Sequence, residues 1–193
     1  MLQKRLQITA TENRIRNTQY GFRPTRSTVQ AISIVRRMFD AAHASQDSGI
    51  LAVLLDWAKA FDRVKPDVLI EALRRFGIPA PMVDMIEGIY SERCFSIRDS
   101  CGNSSVRPQR AGIAQGCPLS PYLSILIQTV LLADVDYRLT LCGPFNDEPA
   151  FVVCSDLLYA DDTILLGNDP HRVQAHLRIL IDECKRYGLE LNE

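Results

Sequence analysis

From Thr28 to about Ala44, apolar residues recur every three or four positions, with Val29, Ile32, Val35, Met38, Phe39 and Ala42 on one face. That spacing predicts a helix, and Ser27 is placed to cap it. Gly49 closes the helix, and the run ILAVLLD (50–56) follows without polar alternation. Such a run predicts a strand buried on both faces. Pro66 opens a second helix over VLIEALRRF that Gly77 ends, and Pro79 and Pro81 open a third over PMVDMIEGIY. Residues 94–99 and 105–110 predict two strands with a turn at Gly102-Asn103. Residues 118–141 are helical by length and apolar content. Residues 151–167 predict two strands around Asp161-Asp162. Asp169-Pro170 then starts a last helix, with Val173, Leu177, Leu180, Ile181 and Cys184 on one face and Gly188 at its end. The order helix, strand, helices, hairpin, helix, hairpin, helix predicts one α+β domain with helices on one side of a sheet.

Composition narrows the class. The 193 residues are 47% hydrophobic and 23% charged, the balance of a globular chain. The net charge of -1 argues neither for nor against a polyanionic partner. Its distribution says more. Through residue 40 the basic residues are Lys4, Arg5, Arg14, Arg16, Arg23, Arg26, Arg36 and Arg37, against only Glu12 and Asp40. That segment can lie along phosphates or simply be a solvated surface. The six cysteines show no CxxC pair, and the histidines complete no zinc pattern, so reduced thiols in an intracellular protein are expected. No apolar run approaches the roughly 20 residues of a membrane span, and 1–17 lacks the core of a signal peptide.

The chemistry concentrates in DLLYADDTILLG (156–167). Asp161 and Asp162 sit between two apolar flanks, where a tight hairpin would favour Asn-Gly or Asp-Gly. Taken alone, the pair also suits a solvated turn. Asp56 ends the predicted buried strand, where an unpaired charge is costly. If the two segments are neighbours, three carboxylates converge with no Lys or Arg in either strand to neutralise them. A divalent cation is then the natural partner, and two such ions roughly 3.5–4 Å apart can clamp the oxygens of a phosphoryl transfer.

QYGFRPTRSTVQAI (19–32), LLDWAKAFDRV (54–64), GIAQGCPLSPYLSIL (112–126) and YADD (159–162) resemble, in that order along the chain, the segment preceding the central motifs of reverse transcriptases and then those motifs themselves. Their wording is most similar to non-LTR (LINE-type) retrotransposons, with group II intron enzymes as near relatives. The resemblance implies a polymerase palm, a ferredoxin-like antiparallel sheet with helices on one face, plus part of the fingers. It implies about 1–48 as fingers and 49–193 as palm with inserted fingers helices. The fingers hairpin and the thumb are expected outside these ends.

The resemblance also implies roles. Asp56, Asp161 and Asp162 are the catalytic and metal-binding carboxylates, Asp162 being less directly a ligand. The cofactor is Mg²⁺, two ions, with Mn²⁺ as the expected substitute. Phe61 matches the aromatic gate that excludes a ribose 2′-OH; without the motif it reads as a core aromatic. Gln115 and Gly116 match the nucleotide contact, and the amides after Asp56, at Trp57 and Ala58, are placed to cradle phosphates. The ring of Trp57 is expected to pack beneath the site. Arg23, Arg26, Arg110 and Tyr159 are the template and primer candidates. Lys59 and Asp62 are expected to be structural. The implied partners are an RNA template, a DNA primer and deoxynucleoside triphosphates, with no membrane, and the implied location is nucleus and cytoplasm.

Two other classes compete. One is a catalytically inactive remnant or domesticated domain that binds RNA or protein, against which the intact acidic trio argues. The other is a different palm enzyme, a nucleotide cyclase or an RNA-templated RNA polymerase, against which the bulk of Phe61 argues.

Overall fold

Capping and punctuation decide where most helices begin and end. The computed structural model describes residues 2–9, 12–45, 49–58, 60–100 and 102–192. Helix α1 (Leu2–Thr9) leads into α2 (Thr28–Ala44), where Ser27 and Gln30 form the expected capping box. Strand β1 (Leu51–Leu55) and the short α3 (Ala60–Arg63) follow. Helix α4 (Pro66–Phe76) ends at Gly77 with φ 85°, and α5 (Ala80–Tyr90) comes next. A small ribbon holds β2 (Cys94–Phe95), β3 (Arg98–Asp99), β4 (Gly102–Asn103) and β5 (Arg107–Pro108). Then come α6 (Ser120–Leu141), β6 (Asp156–Tyr159), β7 (Asp162–Gly167) and α7 (Pro170–Tyr187), the last capped by Asp169.

The main sheet is antiparallel with order β1-β7-β6. Leu55 pairs with Thr163, Leu54 with Ile164 and Tyr159 with Asp162. Because side chains alternate along a strand, Leu55, Thr163, Leu165 and Leu158 all face one side, and all are buried there. Helices α4, α6 and α7 pack together beneath that side. From Ser120 to Leu132, α6 is buried or half-buried at every position, as a mostly apolar stretch must be, and its last turns carry Asp134, Asp136 and Arg138 toward the surface.

Helix α2 lies across the second face and leaves a cleft of about 670 Å³ against the sheet. Here β1 departs from expectation. It is an edge strand, and Leu54 is 79% exposed toward the cleft. An unbroken apolar run reports side-chain polarity and not what covers it, so a cleft wall reads like a buried strand. Two other boundaries also move. Gly102-Asn103 forms β4, paired with β3, and is not the turn. Residues 151–155 are irregular, so β6 begins at Asp156. Lys59 and Cys101 lie outside the described residues.

Candidate active site

The ladder between β1 and β7 runs out at Leu55 and Thr163. The next residues, Asp56 and Asp162, therefore leave the sheet side by side. Both are exposed, and both line the cleft with Tyr159. The expectation that Asp56 is a buried charge is thus corrected: it sits at the rim in solvent. The turn is Ala160-Asp161, with Asp161 half-buried and Asp162 already in β7.

Among the described residues, no three His, Cys, Asp or Glu side chains converge as a closed metal cage. The anticipated three-carboxylate cluster is therefore open: Asp162 lines the cleft with Asp56, while Asp161 stands in the turn before β7. The donor chemistry still fits a hard cation. Mg²⁺ takes one or two carboxylates and fills its shell with water and substrate phosphates. Among the described residues no basic side chain forms an ion pair with Asp56, Asp161 or Asp162. The Asp56 carboxylate accepts one hydrogen bond, from the Asn192 side-chain amide at 3.0 Å.

The remaining candidates fall into three groups. The GIAQG loop is stitched to the segment after Asp56: Ile113 N donates to Phe61 O at 2.6 Å, Gly112 N donates to Val64 O at 2.8 Å, and Gln115 Nε2 donates to Asp62 Oδ1 at 2.8 Å. Asp62 thus ties the GIAQG loop to the segment after Asp56. Phe61 is half-buried and meets Phe22 edge-on at 6.3 Å. Gly116 is exposed with φ 80°, a backbone conformation that suits glycine.

In the second group, Trp57 is buried and its Nε1 donates to Thr163 Oγ1 at 3.1 Å, so its ring packs beneath the site. The Ala58 amide donates to Glu190 O at 2.9 Å. That amide is not free to cradle a phosphate here, because the chain returning after α7 pairs with it. The third group is basic. Arg23 donates to the carbonyls of Arg16 and Gln19, and Arg26 donates to Asn17 O while lying over the Tyr20 ring. Both brace their own loop. Arg110 is exposed.

A reverse transcriptase (RNA-dependent DNA polymerase) family model matches residues 1–193. The chain belongs to the reverse transcriptase family. It is 30% identical over 203 aligned residues to a probable RNA-directed DNA polymerase from transposon BS of Drosophila melanogaster, covering 100% of this chain and 21% of that protein. It is 28% identical to the Pol polyprotein of the type-2 retrotransposable element R2DM from the same species, covering 90% of this chain and 16% of that one. The chain therefore spans about a fifth of the length of these relatives. Among solved structures it resembles telomerase from Candida albicans in complex with a TWJ fragment of telomeric RNA, with TM-score 0.67 and 14% identity over 100% of this chain and 32% of that one. Apo telomerase from Candida tropicalis gives TM-score 0.69 at 11% identity, over 99% of this chain and 35% of that one. At these identities the likeness is one of fold, and it bears out the α+β palm-like reading.

In this reverse transcriptase domain the sequence reading missed a buried polar network behind the carboxylates. Asp156 opens β6 fully buried. Arg16 Nε donates to its Oδ1 at 2.9 Å and a second Arg16 nitrogen donates to Oδ2, while the Thr18 hydroxyl donates at 2.6 Å. Arg16 also holds Asp136 of α6, its Nη1 donating at 2.5 Å. Burial works against the Asp156 charge. The hydrogen bonds and charge of Arg16, with the Thr18 hydroxyl, outweigh it and hold the carboxyl below the usual carboxylate range. The available signal was the excess of arginine near the N-terminus, for which a phosphate-facing segment and a solvated surface were the two expectations; Arg16 fits neither, because it turns inward to Asp156 and Asp136.

Proposed function

We propose that this chain is the palm, with part of the fingers, of an RNA-directed DNA polymerase. It adds deoxynucleotides to a primer 3′-OH on an RNA template. The observation that carries the reading is the β1–β7 register, which brings Asp56 level with Asp162 beside an open cleft. Reverse transcriptase domains generally use divalent metal ions, and here Asp56, Asp161 and Asp162 would hold them. Two Mg²⁺, when bound, would lower the pKa of the primer hydroxyl and neutralise charge on the triphosphate.

The chain's own residues supply position. Trp57, anchored on Thr163, sets the height of Asp56 beside β7. Phe61, pinned between Phe22 and the Ile113 amide, bars a 2′-OH. Gln115, held by Asp62, keeps its loop against that gate. Tyr159 offers an aromatic ring on the cleft wall near the primer end, and Arg110 offers an exposed charge for the nucleic acid.

The test is primer extension on an RNA template by the full-length protein that carries this domain. Asp56→Asn and Asp161→Asn should each abolish extension, and chelator should silence the parent. Retained extension in Asp161→Asn would overturn the assignment. Phe61→Val should raise ribonucleotide incorporation; unchanged discrimination would remove Phe61 as the gate and favour a ribonucleotide-using palm enzyme. Tight RNA binding with no extension under any metal would instead support the non-catalytic reading.

A further inference from the structure

Ala160 is a non-glycine residue with φ 58°, in the left-handed region that costs an L residue free energy. It immediately precedes Asp161. Such a conformation persists only where its surroundings impose it, and strain of this kind gathers at functional sites. Two residues, Gln128 and Gly21, meet at Ala160, and Gln19 links them to each other. Gln128 of α6 donates from Nε2 to Ala160 O at 2.8 Å. Gln19, only 1% exposed, donates from Nε2 to Gln128 Oε1 at 2.5 Å and accepts from Gly21 N at 2.7 Å. Gly21 lies so close that a Cβ there would stand 2.1 Å from the Ala160 nitrogen. The 18–20 segment is itself zipped to β6, with Leu158 N donating to Thr18 O and Tyr20 N donating to Leu158 O.

The hydrogen bonds run in one direction, from the Gly21 amide through both glutamines to the Ala160 carbonyl. Each amide group uses its oxygen to accept and its nitrogen to donate. A relay of this kind, buried at Gln19 and half-buried at Gln128, is satisfied in one arrangement and costly in others. We propose that Gln128, oriented by Gln19, is a positioning residue for polymerisation. It holds Ala160 left-handed and so fixes the direction in which the Asp161 carboxylate leaves the turn. Neither glutamine touches the cleft carboxylates; they act through the peptide between them. The proposal rests on the polymerase reading for its consequence, but the geometric effect can be measured without turnover.

The experiment uses the full-length protein with template–primer bound. It compares the parent with Gln128→Met, Ala160→Val and the double variant Gln128→Met/Ala160→Gly. Methionine keeps the volume and deletes the donor, and valine retains the clamp but resists positive φ. Mn²⁺ binding by calorimetry and the half-saturating Mg²⁺ for extension are read beside kcat, the deoxynucleotide KM and the melting temperature.

Gln128→Met and Ala160→Val should each weaken metal binding and lower kcat roughly tenfold, the scale of losing one hydrogen bond or one imposed dihedral. The deoxynucleotide KM should stay within about twofold. Glycine at 160 adopts positive φ freely, so the double variant should recover most of the loss even though glycine adds flexibility. A clamp that only held the fold together would give the opposite result, with the double variant worse than Gln128→Met. Unchanged metal dependence in both single variants, or no recovery in the double, overturns the proposal. If Gln128→Met melts early, Ala160→Val against the parent decides. A parent that binds Mn²⁺ without extending any primer sinks the polymerase reading and leaves the clamp to the binding data. A parent that binds no Mn²⁺ sinks both.

Discussion

Asp156 and Asp162 belong to one hairpin, yet the fold treats them in opposite ways. Asp156 points to the packed side of the sheet, has no exposure and is gripped by Arg16 and Thr18. Asp162 points to the cleft, is exposed, and forms no ion pair among the described residues. A buried charge must be matched or it will not be tolerated, so the matched carboxylate is a structural one. The unmatched carboxylates at the cleft are cheap to hold because water solvates them. Among the described residues, no side-chain cation of the protein neutralises them. The apolar neighbours divide in the same way: Leu165 is fully buried against the helices, whereas Leu54 and Ile32 face the cleft 79% and 65% exposed. One side of the sheet is core, and the other is open along Leu54 and Asp56, although Leu157 and Leu166 on that side are buried.

The sharpest way to break this comparison is to unmatch the packed side. Asp156→Asn leaves Arg16 with Asp136 as its one carboxylate partner, and removing one partner of a buried pair costs roughly 3–5 kcal/mol. The surviving Asp136 bond argues for the lower end of that range. Denaturant unfolding measures it, and a change under about 1 kcal/mol would mean that the network does not carry the hairpin.

Truncation compares the apolar halves. Leu165→Ala should cost about 2–5 kcal/mol, a core cavity, whereas Leu54→Ala should stay within about 0.5 kcal/mol of the parent in the same experiment, as surface changes do. Equal losses would show that the cleft is part of the core.

Acid provides a gentler probe. His176 is buried with no hydrogen-bond partner at Nε2, and burial lowers its pKa despite the nearby Asp156 and Asp136. The unfolded chain gains a proton near pH 6.5 that the folded one refuses, so stability is full above that pH and falls as pH drops through it. Asp156 is also depressed, so its contribution persists further down and is lost below the ordinary carboxylate range near pH 4. Melting temperature against pH should therefore decline in two stages, and His176→Gln should remove the first. A single stage in the parent would show that His176 does not titrate this way.

Much of this was legible in the chain. The Ser27 capping box, the Gly77 and Gly188 stops and the Asp169 cap are local devices, and each appears where its residues predicted. The carboxylates were legible because their wording, YADD and LLDWAKAFDRV, is short-range. The Arg16–Asp156 pair was not, since its members are 140 residues apart and nothing in either segment names the other. The left-handed turn was hidden for a similar reason. Ala160 shows no preference for positive φ, and only the approach of Gly21 and the reach of Gln128 impose it.

The amino-acid sequence determined most of the elements, their order and which carboxylates are the candidates for chemistry, because caps, periodicity and motifs act within a few residues of themselves. Tertiary structure decided which face of the sheet stays open, that Asp156 is matched while Asp56 and Asp162 are not, and how the turn before Asp161 is held. Those outcomes depend on which distant surfaces dock, and docking is settled by burial and by hydrogen bonds that exist only once the chain has closed on itself.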